Sequence, residues 1–249
     1  DELREVRPAE LLIETSGSFF DRRELPPDLR RWMVRRFAEL PLQYVVVETR
    51  SDILDDEALA STVADLKPTG LVVELGVESL DPWILKHCIN KDTGPDSVET
   101  AVRKIHQHGA YATANVLVGT PFLSLNEQIQ DSIRTVRGVL DMGFDNAVVF
   151  PVSVKRHTLT GWLWDRGLYR QPSLWALVDV LKALDPEVLG RVFISWHRPR
   201  TEIPPGHTAP IGPTTCPACY ETVATLMDRW RSEIDRPSLL REIDALQCA

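Results

Sequence analysis

The chain has 249 residues, of which 43% are hydrophobic and 26% are charged, a balance typical of a globular protein with a sizeable core. Its formal net charge of −8 argues against a broad phosphate-binding surface but is compatible with a local basic patch. No apolar run approaches the roughly 20 residues that span a bilayer, and four cysteines are too few for a disulfide scaffold, so we expect a cytoplasmic protein without a membrane partner.

The first half of the chain alternates strand and helix patterns. A short apolar run at 11–13 is the first predicted strand, and the segment from Pro26 to Leu40 is a predicted helix with proline at its start. Its predicted core-facing stripe consists of Leu29, Trp32, Met33, Phe37 and Leu40. A buried strand at 44–47, a helix at 56–66 and a strand from residue 71 follow. The next predicted helix begins with a capping box of Asp96 and Glu99 and stops at Gly109.

The second half continues the alternation. A strand at 114–118 precedes a helix whose predicted capping box pairs Ser124 with Glu127, and whose apolar stripe runs from Leu125 to Leu140. A strand at 147–150, mostly helical residues at 158–184 and a strand at 191–195 complete the pattern. The alternation predicts βα units, a parallel sheet and therefore an α/β partial (β/α) TIM-like barrel over 1–198. A proline-rich loop and a helix form a predicted C-terminal extension over 199–249.

The predicted strands end in small or charged residues. Glu48 and Glu78 follow neighbouring strands and can hold an ammonium group or ribose hydroxyls, while the turn Ser16-Gly17-Ser18 offers backbone groups to a small polar ligand. For any single residue, solvation of the barrel rim and pairing with Arg50 or Lys91 is an equally good interpretation. The repetition over five strand ends favours a ligand site.

Motifs at these strand ends, taken in order, resemble the radical S-adenosylmethionine (SAM) superfamily. Those shared with Elongator catalytic subunits and oxygen-independent coproporphyrinogen oxidases are Glu48-Thr49-Arg50, Leu75-Gly76-Val77-Glu78-Ser79, Ile89-Asn90-Lys91, Val116-Leu117-Val118-Gly119-Thr120-Pro121 and Phe150-Pro151-Val152. The segments similar to the radical SAM subunits of archaeosine synthases are Thr15 to Asp21, Pro121-Phe122-Leu123, and Pro151 to Val154 running on to Thr158-Leu159, Leu163-Trp164 and Leu174-Trp175. The resemblance covers roughly Leu11 to Leu184.

The resemblance implies an activity and its partners. The implied enzyme reductively cleaves SAM to a 5′-deoxyadenosyl radical, which abstracts hydrogen from a modified nucleoside in tRNA or from a small biosynthetic metabolite. Flavodoxin or ferredoxin is the implied electron donor. Two other hypotheses remain open: a SAM- or nucleotide-binding barrel module without a cluster, and a non-radical barrel lyase or aldolase. The lyase or aldolase needs a strand-end lysine or metal-binding carboxylates; Lys91 lies off the strands, and no lysine ends a predicted strand.

The resemblance also implies roles for individual residues. Ser16, Gly17 and Ser18 hold the methionyl amino group of SAM, and Glu48 lies near its ribose and amino group. Glu78 and Lys91 contact the ribose and the carboxylate, although Glu replaces the usual Gln and Lys the usual Arg, which changes the hydrogen-bond geometry. The residues implied to contact the adenosine are Asn115, Leu117 and, through its backbone, Val152.

The cluster-binding motif of the superfamily is the main departure. Its [4Fe–4S] cluster is held by three cysteines spaced Cys-x3-Cys-x2-Cys after the first strand, and the 249 residues contain no such triplet. The motif falls before the strand at 11–13, so we expect these cysteines in a segment upstream of Asp1 in a longer protein.

A second metal site is predicted in the C-terminal extension. Cys216-Pro217-Ala218-Cys219 supplies half of a metal site, which Cys248 or His207 can complete as a zinc site or an auxiliary iron–sulfur cluster. Two thiols without a metal at an ordinary helix start are the alternative interpretation.

Overall fold

The computed structural model describes residues 9–13, 17–198, 208–232 and 236–245. In this part of the chain the strands form one sheet in the order β1-β2-β3-β4-β5-β6. The strands are Glu10–Ile13 (β1), Tyr44–Thr49 (β2), Gly70–Glu78 (β3), Tyr111–Val118 (β4), Asn146–Pro151 (β5) and Val192–Ile194 (β6). The order of the strands in the sheet is thus their order in the chain, as βα units joined by successive crossovers require.

Helices connect the strands and form the C-terminal region. They are Pro27–Ala38 (α1), Asp56–Leu66 (α2), Pro95–Gln107 (α3), Leu125–Asp141 (α4), Leu159–Asp165 (α5), Leu174–Lys182 (α6), Tyr220–Ser232 (α7) and Arg236–Asp244 (α8). A helical turn at Pro82–Ile84 continues into a π-helical turn at Leu85–Ile89, and 3₁₀ turns lie at Ser51–Ile53 and Leu189–Arg191. None of the helices in the described ranges is long and apolar enough to cross a bilayer.

The sheet is parallel, as the alternation of strands and helices predicted. Strand β2 pairs in parallel with β3 from Tyr44↔Gly70 to Thr49↔Leu75, β1 pairs with β2, and β5 pairs with β6. Strands β2 to β6 bury valine, leucine, isoleucine and alanine side chains, which alternate with half-buried residues in β3 and β5, whereas β1 is half-buried to exposed. The predicted α/β partial TIM-like barrel is therefore confirmed.

The described residues form two compact units. The first comprises residues within Asp1–Val77, Thr93–Asn115 and Asp141–Asn146, and the second comprises residues within Glu78–Asp92, Val116–Leu140 and Ala147–Ala249. The predicted division of the chain at 198/199 falls at the edge of 199–207, which lies outside the described residues, so it stays a prediction.

Helix α1 buries a face that includes only part of the predicted stripe. Leu29 and Trp32 are 46% and 59% exposed, whereas Arg30 and Val34 are buried where α1 packs against α2. The guanidinium carbon of Arg30 lies 5.6 Å from the centre of the Phe20 ring, a cation–π contact that makes the buried position tolerable for arginine. Met33, Phe37 and Leu40 of the predicted stripe are half-buried, so the prediction is wrong for Leu29 and Trp32. Apolar spacing identifies stripes on a helix, while the tertiary contacts select the stripe that is buried.

Two helix starts test the capping predictions. Helix α3 begins at Pro95 with Gly94 as its N-cap and no side-chain cap, so the capping box of Asp96 is wrong; Pro95 lacks an N–H and fits the first turn without a cap. At α4 the predicted box is confirmed: the Ser124 N–H donates to Glu127 at 2.7 Å, and the Glu127 N–H donates to the Ser124 hydroxyl at 3.4 Å.

Helix α4 also buries polar groups that the apolar stripe does not include. Leu125, at the start of the predicted stripe, is 54% exposed, while Ile133, Val136 and Leu140 are buried as expected. The buried polar residues on this helix are Gln128, Asp131, Ser132 and Thr135. A polar group inside a protein needs a hydrogen-bond partner, so these residues indicate that α4 supports a neighbouring loop.

Candidate functional site

The turn after β1 is joined to the end of β2 in the first unit. The Phe19 N–H donates to the Glu48 carbonyl at 2.9 Å, and the hydroxyl groups of Ser18 and Thr49 lie 2.5 Å apart. The Arg50 N–H donates to the Ser18 hydroxyl at 3.1 Å. The structure therefore brings together Ser18 and Glu48, two residues implied to contact SAM, while Ser16 lies outside the described residues.

The carboxylate of Glu24 occupies the turn itself. It accepts a hydrogen bond from the Ser18 N–H, and a Cβ added at Gly17 would lie 1.7 Å from its Oε2. A side chain at position 17 would therefore displace this carboxylate from the turn. In this conformation the Ser18 N–H, which the sequence analysis expected to be available to a ligand, is hydrogen-bonded to the Glu24 carboxylate.

Asn115 is paired with a carboxylate on the neighbouring part of the sheet in the same unit. Its Nδ2 donates to Glu74 Oε2 at 3.4 Å, and both side chains are half-buried between fully buried neighbours along their strands. The sequence did not single out Glu74, although its alternation with Val73 and Leu75 places it opposite the buried side of β3.

Glu78 and Lys91 form an ion pair in the second unit, at the end of β3. Lys91 Nζ lies 3.5 Å from Glu78 Oε1, and the two side chains are only 17% and 21% exposed, respectively. Burial raises the pKa of the Glu78 carboxyl, and the nearby Lys91 ammonium offsets this only in part. The π-helical turn at 85–89 ends at Asn90 in a left-handed conformation and returns the chain so that Lys91 faces Glu78. The structure thus brings together another predicted pair.

The backbone at Glu78 is held in an unusual conformation. Its φ of +67° is left-handed, which is unfavourable for a residue with a Cβ. Two side chains of α4 stabilise the residues that follow: Asp131 accepts a hydrogen bond from the Ser79 hydroxyl at 3.1 Å, and Thr135 accepts one from the Leu80 N–H at 3.2 Å. Left-handed non-glycine residues held by their surroundings are common at functional sites, so the conformation is one more reason to keep Glu78 as a candidate site residue.

Leu117 and Val152 lie at the ends of β4 and β5 in the same unit. The Val152 N–H donates to the Val118 carbonyl at 2.8 Å, and the Val152 carbonyl accepts a hydrogen bond from Gln171 at 2.5 Å. The Leu117 carbonyl accepts one from Ser132 at 2.8 Å. The backbone of Val152, which the resemblance places against adenine, is thus held in position by two partners.

Gly119 links this strand end to Tyr169. The Tyr169 hydroxyl donates to the Gly119 carbonyl at 2.6 Å, and burial strongly raises the pKa of this phenol. Gly119 has φ +113°, and a Cβ there would lie within 3.2 Å of both Pro172 and Tyr169. The sequence indicated a turn at Gly119-Thr120-Pro121 but not its partner, because Tyr169 is 50 residues away in the chain.

A histidine and carboxylate pair follows β6, and the sequence did not predict it. His197 is 2% exposed, and its Nε2 lies 2.9 Å from Asp228 on α7, while its Nδ1 is buried without a hydrogen-bond partner in the described ranges. Burial lowers the pKa of His197, although Asp228 acts in the opposite direction. Arg198 donates to the same carboxylate at 2.8 Å, so Asp228 joins the end of β6 to α7.

Cys216 and Cys219 form a turn immediately before α7. The Cys219 N–H donates to the Cys216 carbonyl at 3.0 Å, and Cys219 is buried. Both candidates for a third ligand, His207 and Cys248, lie outside the described residues. Within the described ranges no three His, Cys, Asp or Glu side chains are placed to bind one metal ion, so the predicted site stays a prediction.

No protein-family model matches the chain. Its curated relatives include two archaeosine synthase β subunits. That of Methanosarcina acetivorans is 28% identical over 85% of this chain and 59% of its own length, and that of Thermococcus kodakarensis is 29% identical over 70% of this chain and 54% of its own. The chain spans 50–59% of the length of the curated relatives it matches.

Solved structures show the same fold. The archaeal Elp3 of Methanocaldococcus infernus matches with a TM-score of 0.63 and 20% identity, over 88% of this chain and 54% of that protein. TsrM from Kitasatospora setae, a radical SAM methyltransferase solved with cobalamin and a [4Fe–4S] cluster, matches with a TM-score of 0.55 and 13% identity, over 95% of this chain and 53% of its own. The chain therefore has the fold of radical SAM enzymes, and its relatives include archaeosine synthase β subunits.

Proposed function

We propose that this chain is the SAM-binding barrel of a radical SAM enzyme that acts on a modified nucleoside in tRNA. The observation that carries the proposal is the Glu78–Lys91 pair, held at the end of β3 where the resemblance expects contacts to SAM. The radical SAM fold supports the class of enzyme, and the archaeosine synthase relatives support the tRNA substrate.

The residues of the second unit fit a ligand such as SAM. Glu78 Oε1 faces Lys91, and within the described ranges no donor is bonded to Oε2, which can therefore accept a hydrogen bond from a ribose hydroxyl or an ammonium group. The Lys91 ammonium is the group suited to the ligand carboxylate. Asp131 and Thr135 act through Ser79 and Leu80, since they hold the backbone that presents Glu78.

In this proposal SAM and a reduced iron–sulfur cluster supply a 5′-deoxyadenosyl radical that abstracts hydrogen from the nucleoside. The described residues do not provide three thiolates for such a cluster, so we assign no cluster ligand to them. The role proposed for this chain is to orient SAM and exclude water from it. A cytoplasmic location and an electron donor of the flavodoxin or ferredoxin type belong to the same proposal.

Calorimetric titration of the full-length protein with SAM tests the assignment. We expect Glu78→Ala to weaken SAM binding by about 1–3 kcal/mol, because it removes a charge-assisted hydrogen bond from a half-buried site. Glu78→Gln, which keeps the length of the side chain, should fall between the wild type and the alanine variant. Glu99→Ala on the exposed face of α3 is the control with the same charge change. SAM affinity that is equal in Glu78→Ala and Glu99→Ala would refute the assignment.

A further inference from the structure

A basic segment lies between β5 and α6 in this otherwise acidic chain. The basic segment, residues 155–170, contains Lys155, Arg156, Arg166 and Arg170 but only one carboxylate, Asp165, whereas the whole chain has a net charge of −8. All four cations are exposed, and within the described ranges no carboxylate lies within ion-pair distance of Lys155, Arg156 or Arg170. Unpaired cations concentrated on an acidic protein indicate a local site for a polyanion.

The segment is a folded unit and not a loose loop. Leu163 and Tyr169 pack into a buried cluster with Val154, and Gln171 bonds the Val152 and Ile211 carbonyls. Gln171, the residue after Arg170, thereby joins the end of the segment to Val152, three residues before its start. The Thr158 hydroxyl accepts a hydrogen bond from the Gly161 N–H at 3.1 Å and donates to the Lys155 carbonyl at 2.7 Å. These contacts fix the backbone that carries the cations.

The outer face of the same segment exposes an aromatic ring. Leu159 and Trp162 are 58% and 49% exposed and lie one helical turn apart on α5. The guanidinium carbon of Arg166 lies 3.9 Å from the centre of the Trp162 ring and covers one of its faces. A large indole kept half exposed beside cations is a suitable platform for a nucleic-acid base, since every base offers a flat face for stacking.

The segment begins at the edge of the barrel where SAM contacts are proposed. It starts four residues after Pro151, the last residue of β5, and its final contact holds the backbone of Val152. A polyanion bound along the segment would therefore lie next to the carboxyl ends of β4 and β5 within the second unit.

We infer that the basic segment binds RNA. Lys155, Arg156 and Arg170 contact backbone phosphates, and Trp162 stacks on an unpaired base with its free face. The choice of tRNA as the RNA rests on the proposed function, whereas the surface itself rests on charge and exposure. RNA fits better than an anionic lipid surface because an exposed aromatic ring lies on the same folded segment as the cations, a combination that suits base stacking beside phosphate contacts.

Fluorescence anisotropy with a labelled tRNA transcript and the full-length protein tests the inference. The patch variant combines Lys155→Glu, Arg156→Glu and Arg170→Glu. Three lost phosphate contacts should weaken binding about tenfold or more at near-physiological salt and reduce the slope of log affinity against log salt by about two to three. The control variant, Arg31→Glu with Lys86→Glu and Arg103→Glu, has the same charge change at exposed positions elsewhere and should change affinity less than about threefold.

Substitutions of Trp162 test the stacking contact. Trp162→Ala should weaken tRNA binding about fivefold or more, whereas Trp162→Phe should retain most of the affinity because it keeps an aromatic face. The melting temperature of both variants should stay close to that of the wild type, since the ring is half exposed. An unchanged affinity for Trp162→Ala would remove the stacking contact from the inference.

The outcomes separate this inference from the proposed function. Equal tRNA affinity of the patch and control variants would overturn the inference. A patch variant that still binds tRNA but no longer binds phosphatidylserine vesicles would also overturn the inference, because the surface would then be a site for anionic lipid. SAM binding is measured without RNA, so the two tests are independent. If Glu78→Ala does not weaken SAM binding, the proposed function is refuted, while the tRNA measurements still decide the inference about the basic segment. A patch variant that loses tRNA binding but retains SAM binding supports the inference.

Discussion

Two glycines in helices of the second unit should respond oppositely to the same substitution. Gly161 lies in α5 and Gly138 in α4, and each change to alanine adds one methyl group. In a helix interior alanine is favoured over glycine by about 1 kcal/mol, so propensity alone predicts stabilisation at both positions. The surroundings of the added Cβ decide the difference.

At Gly161 the new Cβ would lie 2.3 Å from the Lys155 carbonyl oxygen. This oxygen belongs to the backbone and already accepts the Thr158 hydroxyl at 2.7 Å, so moving it breaks that bond. Overpacking costs about 1–3 kcal/mol and the lost hydrogen bond about 0.5–1.5 kcal/mol. Subtracting the gain of about 1 kcal/mol in helix propensity from these two costs, we expect Gly161→Ala to lower the free energy of unfolding by about 1–3 kcal/mol.

At Gly138 the nearest atom is Cδ1 of Leu80, 2.6 Å from the added Cβ, and the next atom is 4.0 Å away. A terminal methyl of a half-buried leucine can move by rotation about its side-chain bonds. We therefore expect Gly138→Ala to range from neutral to about 1 kcal/mol more stable than the wild type.

Thermal and urea unfolding followed by circular dichroism measure both variants. For a chain of this size, 1 kcal/mol corresponds to about 2–4 °C in Tm, so Gly161→Ala should melt roughly 2–12 °C lower. A Gly161→Ala variant as stable as Gly138→Ala would refute the assignment of the Lys155 carbonyl as the obstacle. Gly161→Ala should also weaken tRNA binding, because the same contact fixes the basic segment.

Two further predictions concern the C-terminal part of the chain. Because burial lowers the pKa of His197, the unfolded state takes up a proton more readily, and stability should fall as the pH drops below about 6.5, the ordinary value for histidine. Urea midpoints at pH 7.5, 6.5 and 5.5 should show a weaker fall for His197→Gln, and equal falls would contradict the role of this histidine. If Cys216 and Cys219 bind a metal, changing both to serine should release zinc or iron measured by elemental analysis and speed proteolysis of the extension. Unchanged metal content and proteolysis would identify them as structural thiols.

The sequence by itself determined the regular elements and their order. Strand and helix periods, the capping box of Ser124 and Glu127, and the glycine stop at Gly109 depend on residues within four positions of each other, so a local pattern carries them. The alternation of these elements was sufficient for the parallel sheet and the partial barrel. The resemblance to radical SAM enzymes singled out Glu78 and Lys91, which the structure brings together as an ion pair.

Only the tertiary structure decided which faces are buried and which polar groups meet. The burial of Arg30 in place of Leu29 follows from packing against α2 and Phe20, which no spacing within α1 encodes. Asp131 reaches Ser79 across 52 residues, and His197 meets Asp228 across 31. Such pairs form where loops close and buried polar atoms need partners, so their positions follow no period that a single sequence displays.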